Sequence, residues 1–247
     1  MADKGPHPLT PTQIDYHCHL LPGIDDGPSN IEESVNMARI FADAGYKTVY
    51  CTPHMIKRIY DTDNDSVLQT LEKLRYEIGK ENIPLQLLAG REYCLDENFF
   101  EYLNNPILLD GTRYLLIEIP PPAMPEFARD ILTDVMRRGY IPMIAHPERF
   151  RLFDRPVENK KDPRFIRLWK TSMRKNTVPE PDGTVLLDWL REMGCAFQAN
   201  LGSFSGSYGP KIQTRALRFQ EANIYTHTGT DAHSADALTA LFSPDSL

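Results

Sequence analysis

The chain is poor in cysteine. It has four in 247 residues, at positions 18, 51, 94 and 195, and no two form a C-x-x-C pair. That scarcity speaks against a disulfide framework and fits reduced, buried thiols. No cysteine is followed, after five intervening residues, by the arginine that a cysteine-nucleophile phosphatase needs; after Cys18 that place belongs to Ile24. Long apolar runs are missing as well. Nothing approaches the roughly 20 residues of a membrane helix, and the proline-rich start, Met1 to Thr12, lacks the apolar centre of a signal peptide. The expectation is a soluble, cytoplasmic protein with no membrane insertion. Basic charge is not in excess either. Lys and Arg number 27 against 34 Asp and Glu, a formal net charge of −7, which weighs against a nucleic-acid partner. Low-complexity segments and repeats of fixed period are also absent.

What the chain does have is a regular alternation of strand-like and helix-like segments. At 41% hydrophobic residues it can bury a large core, and residues 1–247 are read as a single domain. Strands are expected near 14–19, 47–52, 84–90, 113–119, 141–146, 195–200 and 223–230, with helices in most of the gaps. This grammar predicts a parallel sheet wrapped by helices. The first helix is announced by Ser29-Asn30-Ile31-Glu32, read as a capping box. An apolar stripe of Ile31, Val35, Ala38 and Ala42 follows, and Gly45 marks the stop.

Polar residues punctuate the ends of these runs. His17-Cys18-His19 closes the first, and Asp231-Ala232-His233 answers it near the other terminus. If both are strands, alternate side chains share a face, so each tripeptide aims two ligand-type groups at one point. Asp25 and Asp26 follow the first run, His54 the second through Thr52-Pro53, and Glu92 the third. Glu118 lies inside Tyr114 to Ile119, and His146 follows Ile141 to Ala145. Five of the seven histidines therefore lie at or just beyond strand ends. In a parallel barrel those ends share one rim, where loops build the active site. The pattern predicts a polynuclear metal centre. Five imidazoles with four carboxylates suit borderline divalent ions such as Mn, Fe or Zn.

These motifs, in this order, resemble the PHP superfamily, named for polymerase and histidinol phosphatase domains. Ile14-Asp15-Tyr16-His17-Cys18-His19 with Asp25-Asp26-Gly27-Pro28, then Thr52-Pro53-His54, Leu116-Ile117-Glu118, Ala145-His146-Pro147-Glu148-Arg149 and Thr230-Asp231-Ala232-His233 are similar to the bacterial capsule-type, metal-dependent protein-tyrosine phosphatases. The resemblance implies an α/β fold, a distorted (βα)7 barrel of PHP type with the metal site at the C-terminal rim of its strands. It implies three divalent ions, usually Mn and sometimes Fe or Zn, held by His17, His19, Asp26, His54, Glu92, Glu118, His146, Asp231 and His233. Glu92 would bridge two of them. Asp25 competes with Asp26 for one place, and the resemblance favours Asp26, leaving Asp25 to cap the loop. The nucleophile would be a metal-bound hydroxide held by the ligand set. Arg149 would be the catalytic and substrate-binding cation on the phosphoryl group. Glu148 and Asn200 would orient neighbours, and the Gly202 to Pro210 loop could bring backbone amides to an anion. The implied substrate is phosphotyrosine on a protein, a bacterial tyrosine kinase that regulates capsule or exopolysaccharide biosynthesis. Two other readings stay open: a PHP phosphoesterase for a small phosphomonoester, and a catalytically silent metal-binding interaction module.

Three features depart from the resemblance. A second phosphate-binding arginine is expected near Leu238, where the chain reads Ser234-Ala235-Asp236-Ala237-Leu238. The terminal helix, Ala237 to Phe242, is expected to be a stub, and an uncovered seam would favour a homo-oligomer. Residues 154–182 read as a basic insertion, with eight Lys or Arg against five acids. Asp162 as cap, Pro163 at the first helical position, and Phe165, Trp169 and Met173 on one face predict a short amphipathic helix there. It would be either a solvated flap or a docking element for an acidic partner.

Overall fold

All seven apolar runs become strands, and two of them break near their ends. In the computed structural model, which describes residues 13–120, 123–150, 153 and 183–243, nine strands are found. They are β1 (Ile14–Cys18), β2 (Thr48–Cys51), β3 (His54–Met55), β4 (Gln86–Ala89), β5 (Glu92–Cys94), β6 (Tyr114–Glu118), β7 (Ile141–Ala145), β8 (Ala196–Asn200) and β9 (His227–Gly229). The first break falls at Thr52-Pro53, where proline has no N–H to give a ladder. The second falls at Gly90-Arg91. A Cβ on Gly90 would lie 2.6 Å from Leu109 Cδ2 and 2.9 Å from Thr52 Cγ2, so only glycine lets the segments approach this closely. At these breaks the chain passes from one sheet to another. Strands β1-β2-β4 form a three-stranded sheet and β3-β5-β6-β7-β8-β9 a six-stranded one, and every pairing is parallel.

The architecture is thus mixed α/β with parallel sheets. The end of β1 also meets the chain that follows β9: Asp231 N donates to His17 O at 2.7 Å, and His19 N to Ala232 O at 3.1 Å. This contact brings the two terminal ligand motifs together.

Helices cover the outer faces. They are α1 (Ile31–Asp43), α2 (Asn64–Lys80), α3 (Phe99–Tyr102), α4 (Pro125–Arg137), α5 (Gly183–Glu192), α6 (Leu201–Phe204), α7 (Pro210–Glu221) and α8 (Ala235–Leu241). Neighbouring residues of one strand enter different cores. Leu115 and Ile117 of β6 pack in a cluster with Ile131, Leu132 and Val135 of α4, while Leu116 packs with Met143, Ala145 and Ala196 in a separate one. Burial on both faces explains why these strands read as continuous apolar runs.

Helix α1 buries Val35, Met37, Ala38 and Phe41, and each of the larger side chains contributes roughly 1.5–3 kcal/mol by leaving water. Its cap sits one residue later than expected. Asn30, not Ser29, accepts from Glu33 N at 2.9 Å, and Glu33 rather than Glu32 reaches back to Ser29 N at 3.2 Å. Ile31 and Ala42, expected on the buried stripe, are only partly covered, because the face that packs is centred on Met37 and Phe41.

The last helix is short but not idle. Leu238 is fully buried against the α1 side of the core, and Phe242 places its ring 5.9 Å from Phe41 and 5.3 Å from Tyr46. The position expected to carry a second guanidinium therefore serves packing. Residues 154–182, with the amphipathic helix read there, lie outside the described residues. Among those described, no helix is long and apolar enough to cross a membrane.

Candidate metal centre

The nine expected ligands come together around one buried carboxylate. Glu92 begins β5, just after the Gly90-Arg91 break, and is fully buried. Its Oε2 lies 3.3 Å from His17 Nε2, 3.4 Å from His19 Nε2 and 3.0 Å from His54 Nδ1, and its Oε1 lies 3.1 Å from His146 Nε2. Four imidazoles from three strand ends thus face one acid.

Three overlapping groups can be drawn, each with its ligand atoms within 4.8 Å of one another. The deepest is His17, His19, Glu92 and Asp231, all buried. Asp231 Oδ1 is 3.2 Å from both His17 Nε2 and His19 Nε2. The second, nearer the surface, is His19, Asp26, His54 and His233. Asp26 Oδ1 lies 3.4 Å from His233 Nε2 and 3.7 Å from His54 Nε2. The third is His54, Glu92 and Glu118, and His146 borders it with Nε2 3.9 Å from Glu118 Oε1.

Hydrogen bonding, such as that between His146 Nε2 and Glu92 Oε1, accounts for only part of this geometry. His54 Nδ1, Glu92 Oε2 and His146 Nδ1 are buried without a hydrogen-bond partner, although unpaired buried polar atoms are costly. The ring nitrogens His17 Nε2 and His19 Nε2 also stand 3.2 Å apart. An arrangement that converges lone pairs on shared points, with too few donors to satisfy them all, fits divalent cations.

The electrostatics agree. Burial would raise Glu92 and Asp231, but the facing imidazoles, with Arg149 at Asp231, hold both well below the usual carboxylate range. Burial would lower His17, but Glu92 and Asp231 outweigh it and raise it to about 9. Positive charge is in demand at this point. Glu118 goes the other way, to about 7, through burial and the charge of Glu92.

The two tripeptides behave differently. His17 and His19 flank Cys18, which is buried in the α1 core, and their Nε2 atoms converge although β1 ends at Cys18 and its register is irregular there. Asp231 and His233 do not lie on a strand, since β9 ends at Gly229. Asp231 adopts φ 52, and this left-handed turn sends it to the deep group while His233 goes to the outer one. His146 is also left-handed, at φ 29. Such conformations are costly for residues other than glycine and concentrate at functional sites.

The surrounding groups hold this array. Asp25 does more than cap its loop: its carboxylate accepts from His19 Nδ1 at 2.7 Å, His54 N at 2.9 Å and Gly27 N at 3.0 Å. Burial opposes ionisation there, but the bond to His19 prevails and brings Asp25 down to about 2. Asn200 donates from Nδ2 to Asp231 Oδ2 at 3.0 Å. Glu148, buried, accepts from Asn200 N and Tyr225 Oη, both at 3.0 Å. Arg149, in the turn after β7, sets Nη2 2.6 Å from Asp231 Oδ2, and its guanidinium carbon lies 3.8 Å from the ring centre of Tyr208; the Gly202 to Pro210 segment, read as a loop, begins within α6 and ends at the start of α7. The Arg149 Nε is buried with no hydrogen-bond partner among the described residues. Two residues escaped the sequence reading. Buried Arg91 ties Asn64, the Thr62 carbonyl and the His54 carbonyl together. Gln198 lies on β8, and its signal was available as a polar pair, Gln198 and Asn200, two apart in an otherwise apolar strand. His227 stands away from the cluster, and His7 is outside the described residues.

Known proteins share this framework. Residues 13–162 match the family model described as capsular polysaccharide synthesis, CpsB/CapC. The chain is 33% identical to the tyrosine-protein phosphatase YwqE of Bacillus subtilis (strain 168) over 223 residues, 90% of this chain and 77% of the relative. It is 26% identical to the tyrosine-protein phosphatase CpsB of Streptococcus pneumoniae, over 91% of this chain and 84% of that one. A chain from the crystal structures of YwqE from Bacillus subtilis and CpsB from Streptococcus pneumoniae, described as unique metal-dependent tyrosine phosphatases, superposes with TM-score 0.70 and 31% identity. That match covers 92% of this chain and 85% of the other.

Proposed function

The chain belongs to the capsular polysaccharide synthesis family CpsB/CapC, and on that premise we propose that it is a metal-dependent protein-tyrosine phosphatase. We assign its substrate as phosphotyrosine on a bacterial tyrosine kinase that regulates capsule or exopolysaccharide assembly in the cytoplasm. The observation that carries this reading is Glu92 Oε2, which is buried, faces three imidazole nitrogens at 3.0–3.4 Å and lacks a hydrogen bond.

In this proposal three divalent ions, Mn in the first instance, are held by three sets of residues. His17, His19, Glu92 and Asp231 hold the first. Asp26, His54 and His233, with His19 beside them, hold the second, and His146, Glu92 and Glu118 hold the third. When bound, such ions lower the pKa of coordinated water and neutralise phosphoryl oxygens.

The chain's own residues do the rest. Arg149 is fixed between Asp231 and Tyr208, which leaves Nε free to donate to a non-bridging phosphoryl oxygen. Asn200, held by Glu148, keeps the Asp231 carboxylate turned toward the histidines. A tyrosyl leaving group, with a phenol pKa near 10, departs with less acid assistance than an alkoxide. We also infer that the two sheets are parts of one distorted barrel. The breaks at Pro53 and Gly90 and the bonds between His17 to His19 and Asp231 to Ala232 support closure.

Protein purified without chelator, analysed for metals and assayed on a panel, tests the reading. The expected result is turnover that depends on added Mn and favours phosphotyrosine peptides over sugar or amino-alcohol phosphates. Preference for a small phosphomonoester would reassign the substrate, and metal-loaded protein without turnover would make the chain a binding module.

A further inference from the structure

A single buried amide oxygen holds two of the histidines, and we propose that Gln198 is a positioning residue for the metal centre. Its Oε1 accepts from His17 Nδ1 at 2.9 Å and from the backbone N–H of His146 at 3.2 Å. Its Nε2 donates to Ala199 O at 2.7 Å and to Gly229 O at 3.5 Å. The two carbonyls fix which end of the amide is nitrogen, so the oxygen must face the imidazole.

That orientation has a chemical consequence. An acceptor at Nδ1 keeps the proton of His17 on that nitrogen and turns Nε2, as a lone pair, toward Glu92 and Asp231. The second bond restrains the left-handed backbone of His146, so one side chain sets the direction of ligands on β1 and after β7. Gly229 keeps the space open. A Cβ there would come within 2.7 Å of His17 Cβ and 2.9 Å of Gln198 Nε2. The backing also differs between histidines. His19 leans on the carboxylate of Asp25 and His233 on the backbone carbonyl of Asp231, whereas His17 leans on a side-chain amide. Gln198 thus orients His17 without adding charge to a site already rich in carboxylates.

The inference rests on the metal-centre reading above. Q198M keeps length and removes the acceptor, and Q198E keeps the acceptor. Zinc-loaded parent protein should show a slowly exchanging His17 Nδ1 proton by 15N NMR, and Q198M should lose it. Chelator competition should find one ion per chain bound about 10–100-fold more weakly in Q198M. In Mn-loaded protein kcat should fall by a similar factor while KM for a phosphotyrosine peptide stays within about twofold. Q198E should restore the protected proton and part of the affinity, since it gives up the Nε2 bonds to Ala199 O and Gly229 O. Q198M that binds every ion as tightly as the parent overturns the proposal, as does Q198E that loses as much as Q198M. Should Q198M fail to fold, the His17 Nδ1 signal in Q198E decides. A parent that binds no ion at all sinks the metal-centre reading instead, and this inference with it.

Discussion

The two ends of the strands put histidine to opposite uses. At the carboxyl ends, His17 is buried among carboxylates; toward the amino ends, His227 is packed edge-on against Tyr16 at 4.4 Å and Tyr114 at 4.9 Å, and Tyr16 stacks on Tyr50 at 5.3 Å. Burial lowers the proton affinity of both rings. At His227 nothing opposes it and the ring falls to about 4, whereas at His17 Glu92 and Asp231 outweigh it and the ring rises to about 9. Residue type therefore does not make a ligand. Facing acids do, and among the described residues they gather around the carboxyl ends, where burial and Arg149 nonetheless hold His146 at about 4 beside Glu92.

The largest test of this contrast removes the central acid. Glu92→Gln keeps the shape and deletes the charge. It should strip bound metal, read by elemental analysis, and lower kcat roughly a thousandfold or more, as the loss of several kcal/mol implies. Full metal content in that variant would mean the carboxylate is not what distinguishes the ends. Arg149→Met comes next. With metal content unchanged, kcat should fall by about 10²–10³, the cost of losing one donor to developing charge. A rise in KM alone would instead make Arg149 a ground-state contact.

The smallest effect belongs to the quiet end. Because His227 titrates lower in the folded protein than in the unfolded chain, the unfolded state binds more protons between about pH 6.5 and 4. Stability from this neutral ring is complete above that window and is lost as pH falls through it. His227→Gln cannot take up the proton. In metal-free protein its Tm should gain on the parent by ~2–4 °C between pH 7 and 5, about 1 kcal/mol after allowing for solvent at a half-buried ring. A gap that does not move with pH would place the proton elsewhere.

Much of this was legible because the strands are buried on both faces and their ends are marked by histidine or acid. All seven runs became strands, and the nine ligand-type residues gathered at one place. What escaped was set by backbone detail. Pro53 and Gly90 split two strands, so His54 and Glu92 begin new strands instead of closing old ones. Asp231-Ala232-His233 looked like a strand because alternation of residue types does not reveal φ 52 at Asp231. The shift from Ser29 to Asn30 is a choice between two good caps one residue apart. Gln198 was passed over because an amide pair in an apolar strand carries no ligand signature, and its value appears only when the fold brings His17 of β1 and His146 after β7 to its side chain.

The four thiols carry one more consequence. Cys18, Cys51, Cys94 and Cys195 are all free and buried, and burial raises every one of them, Cys94 and Cys195 to about 12. At neutral pH almost none is ionised, so peroxide and alkylating agents find little to attack. The chemistry proposed for this chain would continue under oxidative stress that silences sulfur-dependent catalysts, and its weak point would be competition for its ions.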